Sequence, residues 1–308
     1  MLNKLGKGGF GLIYAGVDLQ THKEVAIKLE DISRARKKYL KLEYQIYKRY
    51  HSNWFHVPFD HDIQMPTIYF YGKDGDYRVL VMDLLGPSLA ELFAFQSEKF
   101  SIKTVCMLAI KMITCVEYLH SKGLLHRDIK PGNFVMGRGA RASELFLIDY
   151  GLASPYIDSS GEHIPYSTNA RFHGTDKYAS INNHKKIEPG RRDDMESLGY
   201  LLVYFATGDL PWTKKQQRIP KKNRRAAYGR MKMRTTSEEL TEGLPDVFLK
   251  YFKYVESLYF ADSPNYDFCR TLFTDCLTQM NFQFDDVFDW SLPNVDDSGK
   301  STETTDSE

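Results

Sequence analysis

Short apolar runs fill the first 80 or so positions. "FGLIYAGV" (10–17), "EVAIKL" (24–29), "TIYFY" (67–71) and "YRVLVM" (77–82) read as β-strands, and "GKDGD" joins the last two as a turn. One helix interrupts them near 34–49, where Tyr39, Leu42, Ile46 and Tyr50 recur at helical spacing. Glu43 falls on the same stripe, and a carboxylate on an inward face requires a cation nearby. After "LLGPSL" (84–89), whose Gly-Pro marks a break, the periodicity turns mainly helical over 101–121, 193–207, 245–259 and 265–281. The interval 150–190 has little periodicity, which in a compact protein predicts a functional loop. The last stretch, "SLPNVDDSGKSTETTDSE" (291–308), lacks aromatics and is mostly Ser, Thr and acid, so it is predicted to be a disordered tail. No internal repeat is visible.

Composition narrows the class. At 308 residues, 42% hydrophobic and 14% aromatic, the chain can build two modest cores or one domain split into two lobes. A formal charge of +1, from 41 basic against 40 acidic residues, gives no bulk reason to bind nucleic acid or membrane. Cys106, Cys115, Cys269 and Cys276 lack the short paired spacings of a zinc site, so they are expected to fill the core in a reducing compartment. The longest apolar stretch, around "LGYLLVYFA" (198–206), is about half of what a membrane-spanning helix needs, and no signal-peptide pattern precedes the Gly-rich opening. A soluble monomer of the cytosol or nucleus is the expectation.

The candidate chemistry lies in four short stretches. "GKGGFGLI" (6–13) places Gly6, Gly8 and Gly11 at the spacing Gly-x-Gly-x-x-Gly, which lets backbone approach phosphates closely. A dinucleotide site needs a helix directly after the glycines, whereas "LIYAGV" continues as strand. "VAIK" (25–28) puts Lys28 at the end of an apolar strand, ordinarily a solvated end. With the glycines upstream and the inward Glu43 downstream it becomes a phosphate-pairing Lys with a helix-borne anchor. "HRDIKPGN" (126–133) then supplies Asp128, Lys130 and Asn133, and "LIDYGLA" (147–153) supplies Asp149. An Asn amide oxygen and an Asp carboxylate are hard ligands suited to magnesium held against nucleotide phosphates. Asp128 suits a carboxylate facing a substrate hydroxyl, and the fixed charge of Lys130 would steady the transferring group. Each residue alone reads as a loop polar group; the order and spacing together do not.

The set resembles a eukaryotic protein kinase, and residues about 5–290 resemble the casein kinase 1 family. The motifs are "LLGPSL" (84–89), "HSKGLLHRDIKPGNFVMG" (120–137), "HIPY" (163–166), "GTDKYASIN" (174–182), "RRDDMESLGY" (191–200), "LPW" (210–212) and "VFDW" (287–290). Ser180-Ile181-Asn182, where most kinases have Ala-Pro-Glu, is the most specific. The resemblance implies an α+β, bilobal protein kinase fold over 1–290. A small β-rich N-lobe of five strands and one helix (about 1–82) would cover a larger helical C-lobe (about 86–290), with ATP between them. By motif match Lys28 and Glu43 would form an ion pair, Asp128 would accept the proton, and Asn133 and Asp149 would hold Mg2+. Leu5, Gly6, Gly8 and Gly11 would lie over the nucleotide. Met82 would be the gatekeeper, Asp83 to Leu85 the hinge, and Ile13, Ala26, Val135 and Ile148 would sandwich the adenine. Thr175 would contact the catalytic loop, and Asp194 would brace it from the helix beneath.

Departures from the family pattern are also legible. The chain starts at "MLNKLG", so the strand leading into the glycine loop is expected to be almost absent. Tyr150 replaces the usual Phe between Asp149 and Gly151, and Gly132 stands where the family commonly has Asp. The stretch 213–234 carries ten Lys or Arg and no acid, which reads either as a solvated basic face or as a site for acidic or previously phosphorylated protein substrates. Lys177 stands where the family has Arg, with Arg224 or Arg225 as its partner. A Lys lacks the two-pronged geometry of Arg, so weaker phosphate recognition is expected. Arg127 and Arg171 match a second basic site, depleted by Ser154-Pro155 where the family has two lysines. A pseudokinase scaffold and a basic docking module are the rival readings.

Overall fold

The computed structural model describes residues 3–8, 11–33, 38–51, 65–214 and 219–291. The expected tail at 292–308, positions 34–37 of the expected first helix and part of the basic stretch (215–218) lie outside the described residues.

The N-terminal part contains β1 (Lys4–Gly8), β2 (Gly11–Val17), β3 (Glu24–Asp31), β4 (Ile68–Asp74) and β5 (Tyr77–Asp83). They form one antiparallel sheet in the order β1-β2-β3-β5-β4. The leading strand is therefore present, contrary to the sequence expectation. Five residues suffice because β1 pairs along β2, with Gly6 opposite Ile13 and Gly8 opposite Gly11, and the Ala15 amide donates to Asn3 O at 2.8 Å. Gly11 is required by packing: a Cβ there would stand 2.0 Å from Leu29 O on β3.

Because side chains alternate along a strand, the register aligns one face of the sheet. Ile13 lies opposite Lys28, Lys28 opposite Leu80, and Ala26 opposite Met82. α1 (Tyr39–His51) packs beside this sheet, with Leu40, Glu43, Ile46 and Tyr47 buried. Tyr39 and Leu42 are only partly buried. The inward stripe is thus rotated from the one apolar spacing predicts. The reason is the buried Glu30: it accepts from the Leu40 amide at 3.2 Å and from Arg78 Nη1 at 2.6 Å, pinning the helix start to β3 and β5.

The remainder is mainly helical: α2 (Leu89–Phe95), α3 (Ile102–Ser121), α4 (Ile181–His184), α5 (Arg191–Thr207), α6 (Arg224–Lys232), α7 (Ser237–Leu240), α8 (Asp246–Glu256) and α9 (Tyr266–Gln279). The four long helices match the predicted periods. α2 escaped prediction, although Ser88 caps it: the Glu91 amide donates to Ser88 Oγ at 3.3 Å and the Ser88 amide donates to Glu91 Oε2 at 2.8 Å. The core of this part gathers around α3 and α5, where Met107, Leu108, Met112, Leu198, Leu201 and Phe205 are fully buried. Among the described residues no helix is long and apolar enough to cross a membrane.

Two short strand pairs bring the loops of the site together. β6 (Leu124–Leu125) pairs with β9 (Ser154–Pro155), and β7 (Phe134–Met136) pairs with β8 (Leu145–Leu147). Each is too short for a period to declare itself. All four cysteines are buried thiols, as their scatter predicts.

Candidate active site

Asp128 lies between β6 and β7 with both carboxylate oxygens engaged. Thr175 Oγ1 donates to Oδ1 at 2.7 Å and Lys130 Nζ to Oδ2 at 2.5 Å. Thr175 reaches Asp128 because Gly174 holds φ +83, and any Cβ there would stand 2.3 Å from Arg127 O.

Beneath the loop, Asp194 near the start of α5 accepts the amides of Arg127 at 2.9 Å and His126 at 2.7 Å. His120 Nε2 meets the same carboxylate at 3.0 Å, while Tyr266 OH donates to its Nδ1 at 2.7 Å. Burial lowers the His120 pKa, so the ring donates as a neutral imidazole. The three donors hold the Asp194 carboxyl below the usual carboxylate range despite its burial. His126 Nε2 bonds Ile148 O at 3.1 Å, which ties the Asp128 loop to the Asp149 loop. Arg127 has φ 65, a strained backbone that these bonds maintain.

Lys28 stands between two carboxylates. Its Nζ donates to Glu43 Oε2 at 2.6 Å and to Asp149 Oδ1 at 3.1 Å, all three side chains being largely buried. Burial works against the ammonium, but Asp149 and Glu43 outweigh it and raise its pKa. One cation cannot fully neutralise two carboxylates. Asp149 also lies near Lys130 and its pKa is lowered, whereas burial and the Asp149 charge push Glu43 up to about 7 against the pull of Lys28.

A carboxyl raised on folding contributes stability that is complete below its ordinary value of 4.5 and is lost as pH climbs to about 7. Glu43→Gln is expected to remove this loss. Between pH 4.5 and 7 the variant's unfolding free energy, from urea titrations, should fall less steeply than that of the wild type. Parallel profiles would mean that Glu43 does not titrate in this window.

Asn133 Nδ2 donates to Asp128 O at 2.8 Å, which leaves its amide oxygen as the acceptor end. Asp149, at φ 68 and ψ 66, supplies the second hard oxygen donor. Among the described residues no cluster of three or more His, Cys, Asp or Glu could hold a metal. Two protein oxygens suit a divalent ion that takes its other ligands from phosphates and water. Tyr150 needs no Phe in its place: its buried OH donates to Leu147 O at 2.7 Å, and its ring meets Tyr47 edge-on at 5.2 Å.

At the end of β5 Met82 is buried, and the Asp83 side chain is occupied structurally. The Asp83 carboxylate bonds Tyr69 OH, Lys23 Nζ at 3.0 Å and the Thr67 amide at 2.8 Å. Although burial alone would raise it, these donors hold its pKa at about 2. Nothing in the sequence pattern singled out Lys23 or Tyr69. Val135 is buried, Ile13, Ala26, Leu85 and Ile148 are partly buried, and Leu5 is 49% exposed.

The basic residues do not converge on one point. Lys177 Nζ sits 3.4 Å from the centre of the Tyr204 ring, and burial brings its pKa down to about 8. Arg224 Nε donates to Ile219 O at 3.2 Å, and Arg127 Nε to Leu152 O at 2.7 Å. Arg225 pairs with Asp176 at 2.8 Å. Arg171 borders the same surface depression as Arg225. Lys232, absent from the sequence-derived set, is fully buried and donates to Ala179 O at 2.5 Å and to Asp176 O at 3.1 Å.

A β-sheet carrying Lys28 thus meets a helical part that presents Asp128, Lys130, Asn133 and Asp149 on two mutually bonded loops. Residues 1–280 of the 308 match the protein kinase domain family, and the chain belongs to that family.

Proposed function

We propose that the chain is a serine/threonine protein kinase of the casein kinase 1 type, acting on hydroxyls of acidic or previously phosphorylated proteins. One observation carries this reading: Asp128 is held between Lys130 and Thr175 on a loop whose amides are tied to Asp194. When bound, Mg-ATP would supply its terminal phosphoryl group to the hydroxyl and leave as ADP, with the metal balancing the phosphate charge. Asp128 accepts the proton of the attacking hydroxyl, and Lys130 stays beside it to balance developing charge. Lys28, fixed by Glu43, would orient phosphate oxygens, and Asn133 and Asp149 would offer the metal two protein oxygens. Gly6 lies where a Cβ would meet nothing within 4 Å, so packing does not demand a glycine there, and its place in the reading is to leave room for a phosphate. Ile13, Ala26, Val135 and Ile148 would flank the adenine, beside Met82 and the backbone of Asp83 to Leu85.

The casein kinase 1 type rests on Ser180-Ile181-Asn182. Ser180 Oγ donates to Asp193 Oδ1 at 2.7 Å, and the Ile181 amide donates to Glu196 Oε1 at 2.8 Å, so this segment is anchored to α5. A monomer of the cytosol or nucleus is part of the reading, and a formal charge of only +1 gives no bulk reason for nucleic-acid or membrane partners.

The test is transfer of labelled phosphate from Mg-ATP to matched peptides, followed by phosphoamino-acid analysis. Phosphoserine and phosphothreonine are expected, with the acidic or phosphorylated peptide favoured. Phosphotyrosine alone, or no transfer by the folded protein to any peptide, would sink the reading.

A further inference from the structure

Tyr266, the first residue of α9, ends in a hydroxyl 2.7 Å from His120 Nδ1, and the other nitrogen of that ring lies 3.0 Å from Asp194. All three residues are over nine-tenths buried. The direction of each bond follows from what each group can do. An ionised carboxylate only accepts, so His120 Nε2 carries the proton and Nδ1 presents its lone pair. Tyr266 therefore donates, and burial holds its hydroxyl protonated. The backbone beside the ring is fixed as well, since Tyr156 OH donates to His120 O at 2.6 Å. On α9 the capping Asn265 accepts from the Phe268 amide at 2.9 Å, and Arg270 bonds Glu117 of α3. Glu117 is three positions before His120, so the same contact between α3 and α9 seats Tyr266 against the imidazole.

We propose that Tyr266 is a positioning residue for phosphoryl transfer: its hydroxyl selects the tautomer of His120 that braces Asp194, and Asp194 in turn holds the backbone on which Asp128 stands. The inference rests on the kinase reading above and reaches past the catalytic loops to a residue of α9 that no motif singles out. A neutral imidazole carries its proton on either nitrogen. With the proton on Nδ1, the Nε2 lone pair would face the Asp194 carboxylate, and two acceptors at 3.0 Å repel. Burial leaves no water to relieve that clash. Burial, and the charge of nearby Arg191, also keep the ring from becoming cationic against the pull of Asp194. Asp194 thus selects the required form from one side of the ring and Tyr266 from the other. Without the Tyr266 hydroxyl, that form leaves a buried acceptor with no donor, so a shifted proton or a turned ring competes with it. Asp194 also accepts the amides of His126 and Arg127, at 2.7 and 2.9 Å, and Arg127 holds φ 65. A carboxylate held less firmly lets this strained turn relax, and Asp128 follows directly in the chain.

The test is steady-state phosphate transfer by Tyr266→Phe, alone and combined with His120→Gln. Phe fills the same space without the hydroxyl, and a Gln amide donates to Asp194 with no tautomer to choose. With His120 in place, Tyr266→Phe should lower kcat about tenfold, the scale of one buried hydrogen bond, and leave the KM for nucleotide unchanged. With Gln at that position the same change should cost less than about twofold, since the two sites are coupled through the ring. Two readouts need no substrate. Nitrogen NMR of the histidine rings should show the His120 proton moving from Nε2 towards Nδ1, and hydrogen exchange of the segment containing His126 and Arg127 should quicken. An unchanged kcat, an equal loss in both backgrounds, or an unaltered His120 tautomer would overturn the proposal. Tautomer and exchange shifts in Tyr266→Phe, when the wild type transfers nothing to any peptide, would support the bracing of the loop while rejecting the kinase reading.

Discussion

Asp128→Asn is expected to keep nucleotide binding and to lose turnover by a factor of about 10² or more, the scale of removing an acid-base group. The variant leaves the backbone scaffold alone. The amides of His126 and Arg127 still reach Asp194, and an Asn oxygen can still accept from Thr175 Oγ1, which lies 2.7 Å from the Asp128 carboxylate. What disappears is the charge that faces Lys130 and the capacity to take a proton. Single-turnover transfer beside titration with a fluorescent nucleotide separates these effects. Undiminished transfer would remove Asp128 from its role, whereas parallel loss of nucleotide binding would make its role structural.

Lys28→Ala is expected to damage both stability and phosphate positioning. Removing one partner of a buried ion pair typically costs about 3–5 kcal/mol, because the other charge stays buried without compensation. Here two carboxylates are left, Glu43 and Asp149, and Glu43 is the one that escapes by protonation, since burial already holds it near 7. The loss of melting temperature should therefore be larger at pH 8 than at pH 6: a carboxyl with a raised folded pKa is increasingly destabilising as pH rises through that value. Lys28→Met combined with Glu43→Leu should recover much of the stability but none of the transfer. A single variant as stable and as active as the wild type at both pH values would refute the pairing.

The legible part of the site is its chemistry. Residues 126–133 and 147–149 announce themselves because Asp128, Lys130, Asn133 and Asp149 fall at fixed spacing in loops, where no hydrophobic period hides them. The long helices were equally legible, since Leu198, Leu201, Leu202 and Phe205 of α5 turn toward one core. The face of α1 was read one step off, because Glu30 and Arg78, distant in sequence, rather than apolar spacing set its rotation. α6 was missed within the basic stretch: a helix with Tyr228 and Gly229 buried among charges has little amphipathic signal.

The sequence by itself determined which groups would meet, namely a lysine on an apolar strand, a glutamate on a helix and two polar loops. Only the tertiary structure decided how they share charge. Lys28 serves two carboxylates, so Glu43 is pushed up while Asp149 is held down. Likewise, the order of the basic residues does not say which will be neutralised. Burial against Tyr204 and Tyr178 lowers the Lys177 pKa, buried carbonyls absorb Lys232, and Asp176 claims Arg225. Desolvation and distance act through space, and neither is written in the order of residues.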